Sequence, residues 1–416
     1  MDSSNVFSKS QFNFWMGAST THNLLVLSNF VADNFSVGKD VHVVYFDLEK
    51  AFDFIWHYGL LSKLVTLGVN RTVIRLIGNY LHGRRQFVCL HGTNSDLTCC
   101  YSGVPQGSIL GPLLFSSYIN DMPSILTNSK CLLFADDAKI FHAIDRTNFK
   151  EDMYQLQCDI NQFAAWCKLW HLKINMSKCY IMRFSDKLKT ANNSNDYVEQ
   201  NSSISGVNYF LNGQLINHVS CYKDLGINYS DSFNFDFHVD QVCKKSFHAL
   251  HTINKCFRFS SQNVHLLLYN SYVHPLHDYG SSVWSPSHRN QINKVEKIQC
   301  FATKYILGYP TLSYDECLVE CHFMSLEKCR EFLDHCLFYK LINNMSICDP
   351  GDLGIRKAHS VCHYMNVIPK FPGKFETQQE FIRHVIVKWN SLPDDIKCVL
   401  TFGKFKNSLL KYILNM

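Results

Sequence analysis

Leu132-Leu133-Phe134-Ala135-Asp136-Asp137-Ala138-Lys139-Ile140-Phe141 sets two adjacent carboxylates inside an apolar run. The pattern is that of strand, tight turn, strand. Asp-Asp by itself is a common turn dipeptide, because both residues tolerate turn geometry. Holding the two carboxylates against apolar strands costs on the order of several kcal/mol unless a cation compensates. A pair of divalent metal ions is the strongest compensation available. Metal-held aspartates at a hairpin tip point to phosphoryl transfer. The choice between turn and metal site rests on the rest of the chain.

The chain has 416 residues, 46% hydrophobic and 14% aromatic. That is enough for about two or three domains with real cores, and it argues against disorder. No apolar run approaches the roughly 20 residues of a membrane span, so no membrane partner is expected. Met1-Asp2-Ser3-Ser4-Asn5 lacks the basic-then-apolar pattern of a secretory leader, so an intracellular protein is expected, cytoplasmic and nuclear. The eighteen cysteines follow no regular spacing and read as reduced core residues. Cys317, Cys321 and His322 cluster, as do Cys362 and His363, without the second half that zinc spacing requires. A net charge of +5 permits nucleic-acid binding without demanding it. Basic clusters such as Arg84-Arg85, Lys187 with Lys189, Lys244-Lys245 and Lys294 with Lys297 and Lys304 read singly as solvated faces.

Outward from the hairpin, Val41 to Phe46 is β-branched and aromatic, a buried strand ending at Asp47. Leu60 to Leu67 and Val73 to Leu81 have helical spacing, Gln86 to Leu90 reads as a strand, and Ile109 to Met122 as a helix. Phe149 to Trp170 is helical and Cys179 to Phe184 a strand. Ser185 to Ser205, rich in Ser and Asn, is the best linker candidate. From Phe235 onward long helical patterns take over: Phe237 to Phe257, Val264 to Val273 and Arg289 to Leu307. An α/β first half and a helical second half follow.

Two further blocks join the Asp-Asp hairpin. Asp47, at the carboxyl end of an apolar strand, can project a carboxylate from a rigid edge into a cleft; it can equally cap a helix. Ser102-Gly103-Val104-Pro105-Gln106-Gly107-Ser108 is a loop opening a helix. Its N–H groups and the Gln106 amide can face a base pair or a phosphate, or the loop is a plain Gly-Pro turn.

Together these blocks resemble motifs A, B and C of reverse transcriptases, most closely those of non-LTR retrotransposons of the jockey-like group. Motif A is similar to Tyr45-Phe46-Asp47-Leu48-Glu49-Lys50-Ala51-Phe52-Asp53, motif B to Ser102 through Phe115, and motif C to Phe134-Ala135-Asp136-Asp137. Leu172-Lys173-Ile174-Asn175-Met176-Ser177-Lys178-Cys179 resembles motif D, and Tyr222-Lys223-Asp224-Leu225-Gly226-Ile227 the primer-grip motif E. Tyr269 to Pro275, Tyr279 to Trp284 and Trp389 to Pro393 resemble the region beyond the palm.

The resemblance implies an α+β fold: a right-hand polymerase palm, an antiparallel sheet packed on helices, with partial fingers and a helical thumb. The expected division is 1–40 partial fingers, 41–230 palm, 231–310 thumb and 311–416 a C-terminal helical region. The implied activity is RNA-directed DNA polymerisation on an RNA template and DNA primer with dNTPs, within an element ribonucleoprotein. Asp47, Asp136 and Asp137 would bind two Mg²⁺ ions, with Mn²⁺ an alternative. Phe52 would be the steric gate against a ribose 2′-hydroxyl; its other reading is a core Phe. Gln106 and Gly107 would shape the nucleotide pocket. Lys178 would approach the triphosphate as a general acid, or is a solvated lysine. Arg84 and Arg85 would lie near the template.

The second fingers motif of the family carries arginines where this chain has Trp15 and Ala18. Neither replaces an arginine fork on triphosphate oxygens. The more N-terminal fingers and an endonuclease are not found before it, so a truncated copy is expected. The alternative reading is a catalytically impaired, nucleic-acid-binding remnant.

Overall fold

The structure is a computed structural model that describes residues 7–14, 17–185, 208–308, 311–348, 350–351, 353, 355–357, 367–369 and 381–415. The chain forms two compact units: residues 1–19 with 38–220, and residues 20–37 with 221–416.

The first unit is built on a five-stranded sheet. Its strands are β1 (Asp40–Phe46), β2 (Lys130–Phe134), β3 (Asp137–Ile144), β4 (Tyr180–Phe184) and β5 (Asn217–His218), in the order β5-β4-β1-β3-β2. β1 is central and antiparallel to both β3 and β4, while β5 joins β4 in parallel. Every residue from Val41 to Phe46 is buried, so both faces of β1 are covered, which is why its residues, His42 apart, are apolar rather than alternating with polar ones. The helices of this unit are α1 (His57–Thr66), α2 (Arg71–Leu81), α3 (Leu110–Ile119) and α4 (Phe149–Leu169). α4 has Leu156, Ile160, Phe163 and Cys167 on one stripe, all buried in the core that holds Val44 and Phe46 of β1. The Phe46 and Phe163 rings meet at 4.2 Å.

Lys63 on α1 fastens this packing. Its ammonium donates to the Tyr118 carbonyl and to Asp121 Oδ1, each at 2.6 Å, and lies 3.6 Å from the centre of the Trp170 ring. A cation over an aromatic face is held by the ring quadrupole as well as by its hydrogen bonds. Burial nonetheless pulls the Lys63 pKa down to about 8. The clamp ties α1 to α3 and so positions the helix that follows the Gly-rich loop.

The second unit contains the helix Thr20–Ser36, a hairpin of β6 (Cys221–Asp224) and β7 (Ile227–Ser230), and the long helices α5 (Asp236–Cys256), α6 (Arg289–Leu307) and α7 (Leu326–Ile342). The hairpin turns through Leu225 and Gly226, both at positive φ, and Tyr279 donates its hydroxyl to the Leu225 carbonyl at 2.6 Å. A Cβ on Gly226 would lie 3.0 Å from the Tyr279 ring, so this turn needs glycine for space and for backbone angle. No helix among the described residues is long and apolar enough to cross a membrane.

Most expected elements are present. The exception is Gln86 to Leu90. Two-residue strands Arg85–Gln86 and Cys89–Leu90 pair with different partners, Thr98–Cys99 and Thr93–Asn94, and all are exposed. A strand gains little from apolar residues that no second layer covers. The helix expected over Ile109 to Met122 stops at Ile119 and is followed by a 3₁₀ turn, Met122–Ile125. Most of the linker candidate, together with Trp15, Lys187, Lys189, Cys362 and His363, lies outside the described residues. Residues 20–37 and the 221–230 hairpin belong to the second unit. Cys131, Cys167 and Cys179 of the first unit are reduced thiols buried in its core.

Candidate active site

The site grows from where β1 ends. Phe46 is paired with Ala138, and Phe134 with Asp137, so the chain leaves β1 as Asp47 beside the tip that carries Asp136 and Asp137. The tip is a two-residue turn, Ala135-Asp136, with Ala135 at φ 53°. A left-handed alanine costs on the order of 1 kcal/mol, and so does Lys50 at φ 42°. Both strained residues sit next to the carboxylates or the cavity they face.

The segment after Asp47 is gripped by two others. Residues 173–175 run antiparallel to it: Glu49 N–H donates to the Lys173 carbonyl at 2.8 Å and Asn175 N–H to the Asp47 carbonyl at 2.9 Å. Residues 102–106 dock on its far end. Gly103 N–H donates to the Ile55 carbonyl and Val104 N–H to the Phe52 carbonyl, both at 2.8 Å. Ser102 Oγ donates to the Asp53 carbonyl and His57 Nε2 to the Gly103 carbonyl, also at 2.8 Å. Gly103 stands at φ 83°, and a Cβ there would lie within 2.8 Å of the Asp53 and Phe52 carbonyl oxygens. Only glycine allows so close an approach.

This docking opens a cavity of about 410 Å³ lined by Lys50, Ala51, Phe52, Pro105, Gln106, Gly107, Pro112 and Asp136. Four of the residues singled out from the sequence thus share one cavity: Phe52, Gln106, Gly107 and Asp136. Phe52 is half-buried and stacks on Phe115, centroids 4.6 Å apart, so it lines the cavity with its ring held from behind. Gln106 Nε2 donates to Asp53 Oδ1 at 3.1 Å. Asp47 and Lys178 meet each other: the Lys178 ammonium is 3.7 Å from Asp47 Oδ2, which also accepts from Asn175 Nδ2 at 3.0 Å. Asp137 is exposed at the start of β3. Behind Asp47, burial pushes the Cys179 thiol up to about 11, so it remains protonated at neutral pH.

The three aspartates are neighbours along the backbone, yet their side chains do not converge. Among the described residues no three His, Cys, Asp or Glu groups are gathered as a metal site. The donors nevertheless suit a hard divalent cation, being carboxylate oxygens at adjacent strand ends. Asp47 already faces a cationic group, the Lys178 ammonium, at 3.7 Å. Lys50, Asp53, Asn175 and His57 were not singled out from the sequence. Asp53 and Lys50 lie inside the motif quoted for Asp47, and that adjacency is the signal that could have found them.

Residues 1–229 match the family model described as reverse transcriptase (RNA-dependent DNA polymerase). The chain is 28% identical over 310 residues to the probable RNA-directed DNA polymerase from transposon BS of Drosophila melanogaster, covering 72% of this chain and 32% of that protein. It is 28% identical over 313 residues to the RNA-directed DNA polymerase from mobile element jockey of Drosophila funebris, covering 73% and 32%. It therefore spans about a third of the length of the curated relatives it matches. A telomerase structure from Candida tropicalis, in complex with the TWJ fragment of telomeric RNA, aligns over 98% of this chain and 54% of that one at 13% identity and a TM-score of 0.42. The family generally uses divalent metal ions. On the match over its first 229 residues, which include the cavity, the Gly-rich loop and the paired aspartates, the chain belongs to the reverse transcriptase (RNA-dependent DNA polymerase) family.

Proposed function

We propose that this chain carries RNA-templated addition of dNTPs to a DNA primer 3′-hydroxyl. The observation that carries the reading is the cavity in which Asp136, Phe52, Gln106 and Gly107 meet. Asp47, Asp136 and Asp137 would hold two Mg²⁺ ions, with Mn²⁺ able to substitute; when bound, these supply activation of the 3′-hydroxyl and neutralisation of the leaving pyrophosphate. The chain's own residues position the reactants. Phe52, braced by Phe115, presents a flat wall to the sugar and excludes a 2′-hydroxyl. Gln106 and Gly107 form the wall for the base, with Gln106 oriented by Asp53. Lys178 and the cavity-lining Lys50 supply positive charge for triphosphate oxygens, and Lys178 is a candidate proton donor to the leaving group. In the reading by parts, residues 41–230 act as palm and 231–310 as thumb, in an element ribonucleoprotein found in cytoplasm and nucleus.

Primer extension on an RNA template with Mg²⁺ and dNTPs tests the proposal. Extension that is lost with chelator and in Asp136→Asn is the expected result. No extension by a folded wild-type chain that still binds primer–template would overturn it.

A further inference from the structure

Away from the cavity, the second unit contains a hydrogen-bonded chain of three side chains that polymerisation does not use. His274 and Asp278 stand one turn apart on the short helix His274–Asp278, and His274 Nδ1 is 2.9 Å from Asp278 Oδ2. The other ring nitrogen, Nε2, is 3.8 Å from Cys329 Sγ, at the first turn of α7. The order thiol, imidazole, carboxylate is the arrangement that makes a sulfur nucleophilic. The carboxylate fixes the tautomer and orientation of the ring, and the ring takes the thiol proton.

The surroundings support the same polarity. Asp278, then Cys329, push the His274 pKa up to about 10, so the ring is a base strong enough to hold a proton taken from the thiol. Arg330, 3% exposed, adds a second positive charge that interacts with Cys329, and its two terminal nitrogens have no hydrogen-bond partner among the described residues. The other groups facing the cluster are Tyr269, whose field includes Cys329 and Asp278, and His277, held neutral by burial. The Met324 carbonyl lies 3.9 Å from Sγ and is the competing acceptor for a thiol proton. Burial, the largest influence on each, pushes the nearby Cys321 and Cys336 thiols up to about 11. Cys329 is 8% exposed, so a reagent must be small to reach it.

We propose that Cys329 is a nucleophilic thiol, activated by His274 and Asp278, and a site of oxidation by small hydroperoxides. The thiol proton passes to His274 Nε2. The thiolate attacks the distal peroxide oxygen, an S–O bond forms and the O–O bond breaks. The departing alkoxide, or hydroxide from hydrogen peroxide, takes the proton from Nε2. Sulfur is oxidised to the sulfenic acid, and the peroxide is reduced to an alcohol or water.

The test is brief hydrogen peroxide treatment of the full chain, a catalase quench, denaturation in dimedone and peptide mass spectrometry. Dimedone occupancy at Cys329 should exceed that at buried Cys317, Cys321 and Cys336 by about tenfold. It should fall about tenfold in His274→Gln and several-fold in Asp278→Asn, while exposed Cys89 and Cys256 react as in wild type. Asp278→Asn retains the size of the side chain and serves if His274→Gln fails to fold. Cys329 occupancy no higher than at the other buried cysteines, or unchanged in a folded variant, overturns the proposal.

Discussion

Asn175 grips Asp47 twice: its side-chain amide donates to Oδ2 at 3.0 Å, and its backbone N–H donates to the Asp47 carbonyl at 2.9 Å. Ser177 Oγ donates to Asn175 Oδ1 at 2.7 Å, which fixes the amide so that its NH₂ faces the carboxylate. A hydrogen bond to a charged group contributes about 1.5–3 kcal/mol, and less here because Asp47 is partly exposed. Asn175→Ala should therefore lower primer extension by about tenfold and raise the Mg²⁺ concentration needed for half-maximal rate. The melting temperature should move little, because the backbone bond remains. An unchanged rate and Mg²⁺ dependence would show that Asp47 needs no such hold.

The stacking of Phe52 on Phe115 makes a separate prediction about sugars. The ring is backed by a second ring at 4.6 Å, so it cannot retreat from a 2′-hydroxyl. Phe52→Val should raise the ratio of rNTP to dNTP incorporation by at least about tenfold, as removing a steric wall of this size is worth about 1–3 kcal/mol of discrimination. Competition assays with dCTP and rCTP read this ratio. If selectivity holds while overall rate falls, the side chain is core and the sugar is sensed elsewhere.

How much of this was legible follows from what each element depends on. β1 and the Asp136-Asp137 hairpin were readable because a continuous apolar run and a turn dipeptide are local signals, and both strands are buried. The pairing of Asp47 with Asn175 was not, since the two lie 128 positions apart and an Asn two residues before a Ser has many local uses. Lys63 is the sharper case. Its Leu-Leu-Ser-Lys-Leu setting suggests an exposed helical lysine, yet it is 7% exposed, with its ammonium over three aromatic rings from distant segments. The strand read over Gln86 to Leu90 failed for the opposite reason: its apolar residues face no second layer. Motif resemblance supplied what periodicity could not, namely that Gln106 and Asp136 belong together.

Gly103 should be intolerant of any side chain. Its φ of 83° and the two carbonyl oxygens within 2.8 Å of where a Cβ would stand leave no space on a rigid backbone. Gly103→Ala should destabilise the first unit by about 2 kcal/mol or more, through strain plus loss of the 102–104 hydrogen bonds. It should also lower extension beyond the loss expected from unfolding, because Gln106 rides on the same loop. A urea melt matching wild type would mean that the loop can undock from residues 52–55 at no cost.

Acid should attack the second unit through histidines held neutral. His238, 5% exposed, accepts the Asn228 backbone N–H on Nδ1 at 3.2 Å and packs edge-on against Trp284. Burial, then Lys245 and Lys223, bring its pKa down to about 4. His22 is lowered likewise to about 4 by burial and Lys340. With a folded pKa near 4 and an unfolded one near 6.5, the unfolded chain binds protons in this window that the folded chain does not. Stability from each ring is thus present above about pH 6.5 and lost as pH falls towards about 4. Asp334, pushed up to about 7 by burial, binds its proton in the folded state and works in the opposite direction over the same window. A difference measurement separates them. His238→Asn keeps an acceptor for Asn228 and removes the titrating ring. Its stability deficit against wild type should shrink by about 2 kcal/mol between about pH 7 and pH 5 in urea melts. A deficit that stays constant across that range would mean that the His238 ring is already charged in the folded protein or remains neutral in both states.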